Sequence, residues 1–402
     1  MRRALTYDDV NVVPKYSELE SRENVKLNTR FTKNTELTIP IVSSPMDTVT
    51  ELDMAKEMMD WGGVGVIHRF QSIEKQARMM KSLHYEWDSY FTPLSGNDNE
   101  EEKTSDKVWD EWWDSIKHWT HPPEKSDFED LHERLGWREH ILSDDEVWKK
   151  RPRCAAVGVT GDYLERAQEL VMNGCNVLLI DVAHGHHKLV GEAIEKIKTR
   201  LEQIEVIAGS VATGEATKYL CEKGADGLRV GIGNGSLCET RIRTGVGIPT
   251  VSAIIDCVAV ADTYNTPVIA DGGIRNIGDV CKGLACGADS VMLGSLLSGT
   301  KESPGEIEKI GEWPNEKLFK KYRGSASLDS KKSRGNNKNV EGNHKAIPYK
   351  GKVKRILKDI QEGIRSAFSY VGANNLSEFH SKVELIEVTR AGQVEALPHL
   401  MA

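Results

Sequence analysis

Short apolar runs rich in β-branched residues recur along this chain, separated by longer stretches of mixed polarity. Eight runs stand out: Ile41–Ser44, Gly63–Ile67, Ala155–Val159, Val177–Asp181, Val206–Gly209, Gly227–Val230, Pro267–Asp271 and Ser290–Gly294. They are apolar at consecutive positions, the mark of a strand buried on both faces. Most of the intervening stretches carry helical periodicity, as at Tyr163–Asn173, Lys188–Leu201 and Thr213–Lys223. The helices end near Gly174, Gly224 and Gly287, as helix C-termini often do.

Eight alternating strand–helix units predict an α/β fold, either a closed TIM (β/α)8 barrel or a doubly wound open sheet. The polar residues favour the barrel. They follow the strands: Pro45-Met46-Asp47, His68-Arg69, Asp181-Val182-Ala183-His184-Gly185, Gly231–Cys238, Asp271-Gly272-Gly273 and Gly294-Ser295. Contributions from all round a sheet fit the mouth of a barrel, where such folds build their sites.

Two segments break the repeat and divide the chain. Residues 1–84 form the first part of the barrel and 153–402 the remainder, with 85–152 inserted between strands two and three. The insert contains seven of the nine Trp residues, and its acidic stretch Asp98–Glu102 reads as a linker. A small, partly helical subdomain is expected there, read first as a packed decoration. A partner-binding face is the other reading, since clustered Trp are common interface anchors. The second segment, about 325–345, is rich in Lys, Asn, Gly and Ser. It reads as a mobile flap beyond the last strand, with a solvated loop as the alternative.

Composition narrows the class. The hydrophobic share is 39% and the charged share 28%, as in globular proteins. No apolar run is long enough for a membrane helix and the N-terminus carries no signal-like stretch, so a cytoplasmic protein is expected. The seven Cys form no C-x-x-C pair, which argues against a disulfide framework or a structural zinc site. A net charge of −8 argues against nucleic acid and anionic membranes as partners. A phosphorylated ligand remains compatible, because backbone N–H groups can hold it.

Candidate chemistry concentrates in three loops. Gly231-Ile232-Gly233-Asn234-Gly235-Ser236-Leu237-Cys238-Glu239-Thr240 carries alternating glycines. Such a loop lets backbone approach a ligand, with N–H groups toward a phosphate or carbonyls toward a monovalent cation. A lone Cys is usually structural, but Cys238 in this polar loop reads as a reactive thiol. Asp271-Gly272-Gly273, followed by Gly294-Ser295, falls after strands seven and eight, where barrels often bind phosphate. There Gly273, Gly294 and Ser295 can donate N–H groups and Asp271 can accept ribose hydroxyls. Asp181-Val182-Ala183-His184-Gly185-His186-His187 could suggest a metal. Asp181 is the better candidate for a ribose or nicotinamide contact, with His186 and His187 as solvated helix-start residues. No G-x-G-x-x-G follows a first strand, so a nicotinamide cofactor would have to be held by the barrel's own loops.

These residues resemble the IMP dehydrogenase / GMP reductase family over nearly the whole chain outside the insert. The likeness rests on Leu5-Thr6-Tyr7-Asp8-Asp9-Val10, Ser43–Glu51, the Cys238 loop, Thr244–Gly247, Ala270–Ile274, Gly294–Leu297 and Tyr322-Arg323-Gly324. The resemblance implies a homotetrameric oxidoreductase acting on a purine nucleoside monophosphate. Cys238 would attack purine C2 to form a thioimidate, and Thr240 would assist proton transfer. Ser44, Met46, Ser236, Asp271, Gly273, Gly294, Ser295 and Tyr322 would bind the nucleotide, and Asp181 the nicotinamide cofactor. Carbonyls of Gly233, Gly235 and Cys238 would bind potassium, helped by the segment near Glu395 of a neighbouring subunit.

Two branches are open. Conversion of IMP to XMP with NAD+ is favoured by Ser43–Glu51, Asp181–Gly185, Gly294–Leu297, Tyr322–Asp329 and Ala391–Glu395. Reduction of GMP to IMP with NADPH, releasing ammonia, is favoured by the flap. There Lys331–Val340 lacks the Arg-Tyr pair with which dehydrogenases activate water, while Glu341 matches a family position that supports proton transfer in both. Ser210 replaces an Asn usual in the strand-five loop. The insert stands where the family's regulatory CBS pair would be but lacks its pattern. A third reading is a nucleotide- or partner-binding barrel with little turnover.

Overall fold

A computed structural model describes residues 1–89, 151–311, 315–327 and 342–396. Eight parallel strands close into a barrel: β1 (Ile41–Ser43), β2 (Val64–Ile67), β3 (Cys154–Val157), β4 (Val177–Asp181), β5 (Glu205–Val211), β6 (Gly227–Val230), β7 (Val268–Asp271) and β8 (Ser290–Leu293). Each pairs with its successor in the chain, and β8 returns to β1 with Leu293 opposite Ser43. The eight apolar runs are these eight strands.

Helices α1 (Leu52–Asp60), α2 (Ile73–Ser89), α3 (Tyr163–Met172), α4 (Lys188–Arg200), α5 (Gly214–Glu222), α6 (Thr250–Ala261), α7 (Ile277–Ala285) and α8 (Val353–Val371) pack outside the barrel. The last shows why they do so. It buries Val353, Leu357, Ile360, Ile364, Phe368 and Val371, one stripe at steps of three and four residues. Helix α2 runs past residue 84, where the insert was expected to begin. Most of the insert, including its Trp cluster, lies outside the described residues. Among the described residues no helix is long and apolar enough to cross a membrane.

Alternate strand residues face opposite ways, so the barrel has two apolar layers. Ile41, Ala155, Val157, Leu178, Ile180, Val206, Ala208, Val268 and Ala270 face the helices in one core. Val42, Val64, Val66, Cys154, Ala156, Val177, Leu179, Ile207, Ile269 and Met292 fill the barrel interior. Phe31 and Leu37 join this interior cluster from a two-stranded hairpin (Thr29–Arg30 with Glu36–Leu37) that closes the bottom. The hairpin is held by Glu205 at the start of β5. That carboxylate accepts from the hydroxyls of Thr32 and Thr35, each at 2.6 Å, and from the backbone N–H of Asn34 at 2.9 Å.

After β8, three antiparallel strands, β9 (Glu308–Ile310), β10 (Lys317–Arg323) and β11 (His344–Pro348), form a separate sheet. The strand Leu385–Glu387 pairs with Val10–Val12, and the following helix Arg390–Glu395 packs beside Tyr7–Asp9.

Phe31 is fully buried under the barrel. Phe31→Ala should therefore cost about 3–5 kcal/mol in urea unfolding. A loss below about 1 kcal/mol, the size of an ordinary surface effect, would mean that the ring does not plug the interior.

Candidate active site

Strand parity locates the site. Two residues beyond each inward-facing position come Ser44, His68, Gly158, Asp181, Gly209, Arg229, Asp271 and Gly294. The apolar interior thus gives way within one step to a layer of polar side chains and glycines. The glycines leave room: a Cβ on Gly209 would lie 2.6 Å from the Arg229 carbonyl oxygen.

The charge of this layer is organised by Arg229. Its Nη1 donates to Asp181 Oδ1 at 2.6 Å, and its Nε and Nη2 reach Asp271 Oδ2 at 2.8 and 2.7 Å. Burial alone would lower the pKa of this guanidinium, but the carboxylates of Asp271 and Asp181 outweigh it and raise the value. Arg69 approaches the other oxygen of Asp181 at 3.6 Å and stacks over the Phe70 ring. The acids expected to bind ribose and cofactor are therefore fixed by one shared cation. Two carboxylates this deep would be costly without it.

The glycine-rich loop leaves β6 directly above this cluster. Gly231 packs so tightly on Asp271 that an added Cβ would sit 2.0 Å from its carbonyl oxygen. A turn closed by the Cys238 N–H on the Gly235 carbonyl, 3.0 Å away, presents the thiol. Cys238 is half-buried, and its Sγ donates to Thr240 Oγ1 at 3.2 Å at the start of the short helix Thr240–Thr244. The other side of the loop is flanked by the strand returning from the flap segment. Cys238 bridges Gly342, and the Asn343 N–H donates to the Leu237 carbonyl at 3.0 Å.

Several of the remaining expected nucleotide residues converge on Gly294. A Cβ built on Gly294 would meet Tyr322 Oη at 3.2 Å, Met46 Sδ at 3.5 Å and Ser44 Cβ at 3.9 Å. Tyr322 Oη also lies 3.1 Å from Ser236 Oγ. The phenol is held in place by its neighbour, since Arg323 Nη2 binds Asp47 at 2.6 Å. Burial, with the nearby Asp271, raises the Tyr322 pKa against the Ser236 hydrogen bond. Behind Gly273, the Tyr7 ring and Thr250 Oγ1 would meet any added side chain. Tyr7 belongs to the N-terminal segment, which therefore backs this loop.

His68, Glu51 and Lys75 form a second polar cluster. The Phe70 N–H donates to His68 Nδ1 at 3.1 Å, so Nε2 carries the proton toward Glu51 Oε1 at 3.2 Å. Lys75 Nζ donates to the same oxygen at 2.9 Å. The His68 and Lys75 hydrogen bonds together lower the Glu51 pKa to about 2.

Of the expected residues, Ser44, Met46, Asp181, Ser236, Cys238, Thr240, Asp271, Gly273, Gly294, Ser295 and Tyr322 all lie at or above the C-terminal ends of the strands. Glu341 lies outside the described residues, although Gly342 beside it is the residue bridged to Cys238. Gly233 is left-handed, at φ +79°, with its open face covered by Arg241. His187 caps α4, accepting the Leu189 N–H at 3.1 Å, and His186 lies against Tyr219. The residues missed were Arg229, Arg69 and Arg323 in their pairing roles. A charge inside the run Gly227–Val230 was the available signal, because parity turns it into the barrel.

Comparison with known proteins gives a consistent result. The family model described as IMP dehydrogenase / GMP reductase domain matches residues 4–399. The inosine-5'-monophosphate dehydrogenase of Cryptosporidium parvum is 39% identical over 99% of this chain and 95% of its own. That of Borreliella burgdorferi is 38% identical over 99% and 97%. Among solved structures, a cysteine-to-alanine variant of GMP reductase from Trypanosoma brucei, in complex with guanosine 5'-monophosphate, superposes with a TM-score of 0.80. It is 29% identical and covers 99% of this chain and 98% of that one.

Two outcomes follow from the geometry. Burial pushes the thiols of Cys175, Cys257, Cys281 and Cys286 up to about 12 and raises those of Cys154 and Cys221. Iodoacetamide near neutral pH should therefore label Cys238 first in the native protein, as read by peptide mass spectrometry; prior labelling elsewhere would contradict this site. Glu51 ionises at about 2 when folded, against an ordinary 4.5. Its stabilisation is present above 4.5 and is lost as pH falls toward 2. Glu51→Gln should flatten the loss of melting temperature in that window, and an unchanged acid limb would show that the ion pair contributes nothing.

Proposed function

The chain belongs to the IMP dehydrogenase / GMP reductase family, and on that premise we propose that it oxidises IMP to XMP through a covalent bond to Cys238. As a member of this family it is a nicotinamide-dependent oxidoreductase of purine nucleotides. The observation that carries the reading is the half-buried Cys238 thiol, hydrogen-bonded to Thr240 on a loop whose Ser236 Oγ lies 3.1 Å from Tyr322 Oη.

The chemistry follows from these groups. Phosphate binds at the N–H groups of Gly273, Gly294 and Ser295 and at the hydroxyls of Ser236 and Tyr322, while Asp271 accepts from the ribose. The Cys238 sulfur attacks purine C2, and its proton leaves along the hydrogen bond to Thr240. The S–C2 bond creates a tetrahedral carbon. Departure of its hydrogen as hydride leaves a thioimidate. NAD+ supplies the hydride acceptor, and Asp181 is the residue that would hold it. Water then adds at C2, the C–S bond breaks, and XMP is released with the thiol restored. In sum, IMP, NAD+ and water give XMP, NADH and a proton.

A potassium ion fits the loop chemically. The donors are hard carbonyl oxygens from Gly233, Gly235 and Cys238, and left-handed Gly233 turns the backbone at the first of them. The Gly235 oxygen also accepts the Cys238 N–H, which uses one of its two lone pairs. Three carbonyls leave the shell incomplete. A neighbouring subunit's segment around Glu395 completes it in the homotetramer we propose.

The reductase remains the second reading, because the flap residues Lys331–Val340 lack the Arg-Tyr pair. One pair of assays separates the readings. With potassium present, IMP plus NAD+ should yield NADH, and GMP plus NADPH should show no loss of NADPH. The reverse result assigns the reductase, and silence in both with nucleotide still bound assigns a binding protein. Cys238→Ala should abolish turnover but leave IMP bound; turnover near wild type would exclude covalent catalysis.

A further inference from the structure

The turn after β8 is polarised by a lysine that the proposed chemistry does not use. Leu297 and Ser298 close that turn with N–H bonds to the Gly294 carbonyl, at 3.2 and 2.9 Å. The carbonyls of Ser295 and Leu296 receive the Lys350 ammonium, at 2.6 and 3.1 Å. Lys350 itself is locked in place. Its N–H donates to the Gly299 carbonyl at 2.8 Å, and the Lys301 N–H returns to Gly351 at 2.7 Å. Lys350 lies two residues beyond β11, so it ties the β10–β11 hairpin to the turn.

Peptide dipoles in such a turn are aligned, with N–H groups at one end and carbonyls at the other. A cation at the carbonyl end reinforces an anion at the N–H end, both through the aligned dipoles and by its own charge. Here the N–H end is Gly294-Ser295, the pair assigned above to the nucleotide phosphate. We propose that Lys350 is a positioning residue for phosphate recognition. It fixes the turn from behind and supplies positive charge that the Gly294-Ser295 N–H groups pass on to the phosphate. Lys320 provides the contrast within the same hairpin. It is buried and donates to the carbonyls of Thr300, Lys301 and Ser303, farther along the segment. Its role is to hold that segment rather than the phosphate turn.

The inference rests on the phosphate reading of this turn, and one experiment separates the two. Binding of IMP and of inosine, which lacks the phosphate, is measured by calorimetry on the full-length protein, with melting temperature recorded alongside. Wild type should prefer IMP strongly. Lys350→Met should weaken IMP by about tenfold and leave inosine within about twofold, while Lys350→Arg restores most of the difference. Lys350→Gln keeps an N–H donor and loses only the charge, and serves if the Met variant does not fold. A wild type with no preference for IMP overturns the phosphate reading and the proposal with it. A wild-type preference that Lys350→Met or Lys350→Gln leaves unchanged overturns the proposal alone. Equal loss of both ligands also overturns it, because the lysine would then be merely structural.

Discussion

Everything at the mouth of this barrel depends on closure of a parallel sheet with a period of two. Once β8 pairs with β1, every second residue of all eight strands must point inward. Below, those positions are apolar and sealed by Phe31. One step higher they become Ser44, His68, Asp181, Arg229 and Asp271 with glycines between them. The packed layer gives these groups a rigid floor, and the glycines give a ligand room.

Electrostatics then joins what the topology assembles. Asp181 and Asp271 stand on β4 and β7, and Arg229 on β6 spans the gap to both. The two carboxylates assigned to different halves of the reaction thus share one counter-charge. The thiol loop grows out of β6 immediately after that arginine, and Gly231 presses it onto β7. The root of the Cys238 loop is accordingly fixed by contact between adjacent strands. At the far side, Arg323–Asp47 and Lys350 tie the β10–β11 sheet to the loops after β1 and β8.

Much of this was legible in the sequence. Short, mostly apolar runs alternating with helical stretches read as strands buried on both faces, so the eight strands could be placed closely. The polar residues at the ends of those runs were then expected at the mouth, which located Asp181, Asp271 and Gly294, while Ser44 came from the family resemblance. Arg229 escaped notice because a single charge inside an apolar run carries no periodic signal of its own; parity counted from Gly227 makes it visible. The partners of Arg323 and Lys350 depend on pairings between residues far apart in the chain, which local pattern does not encode. Glu341, the flap residues Lys331–Val340 and most of the Trp-rich insert fall outside the described residues.

The central claim is a covalent bond between Cys238 and the purine. Protein mixed with IMP and NAD+, quenched in acid during turnover and digested, tests it directly by mass spectrometry. The account predicts that the Cys238 peptide gains the mass of IMP less two hydrogens, and that the adduct disappears as substrate is exhausted. Turnover with an unmodified Cys238 peptide, or with the adduct on another residue, would contradict it.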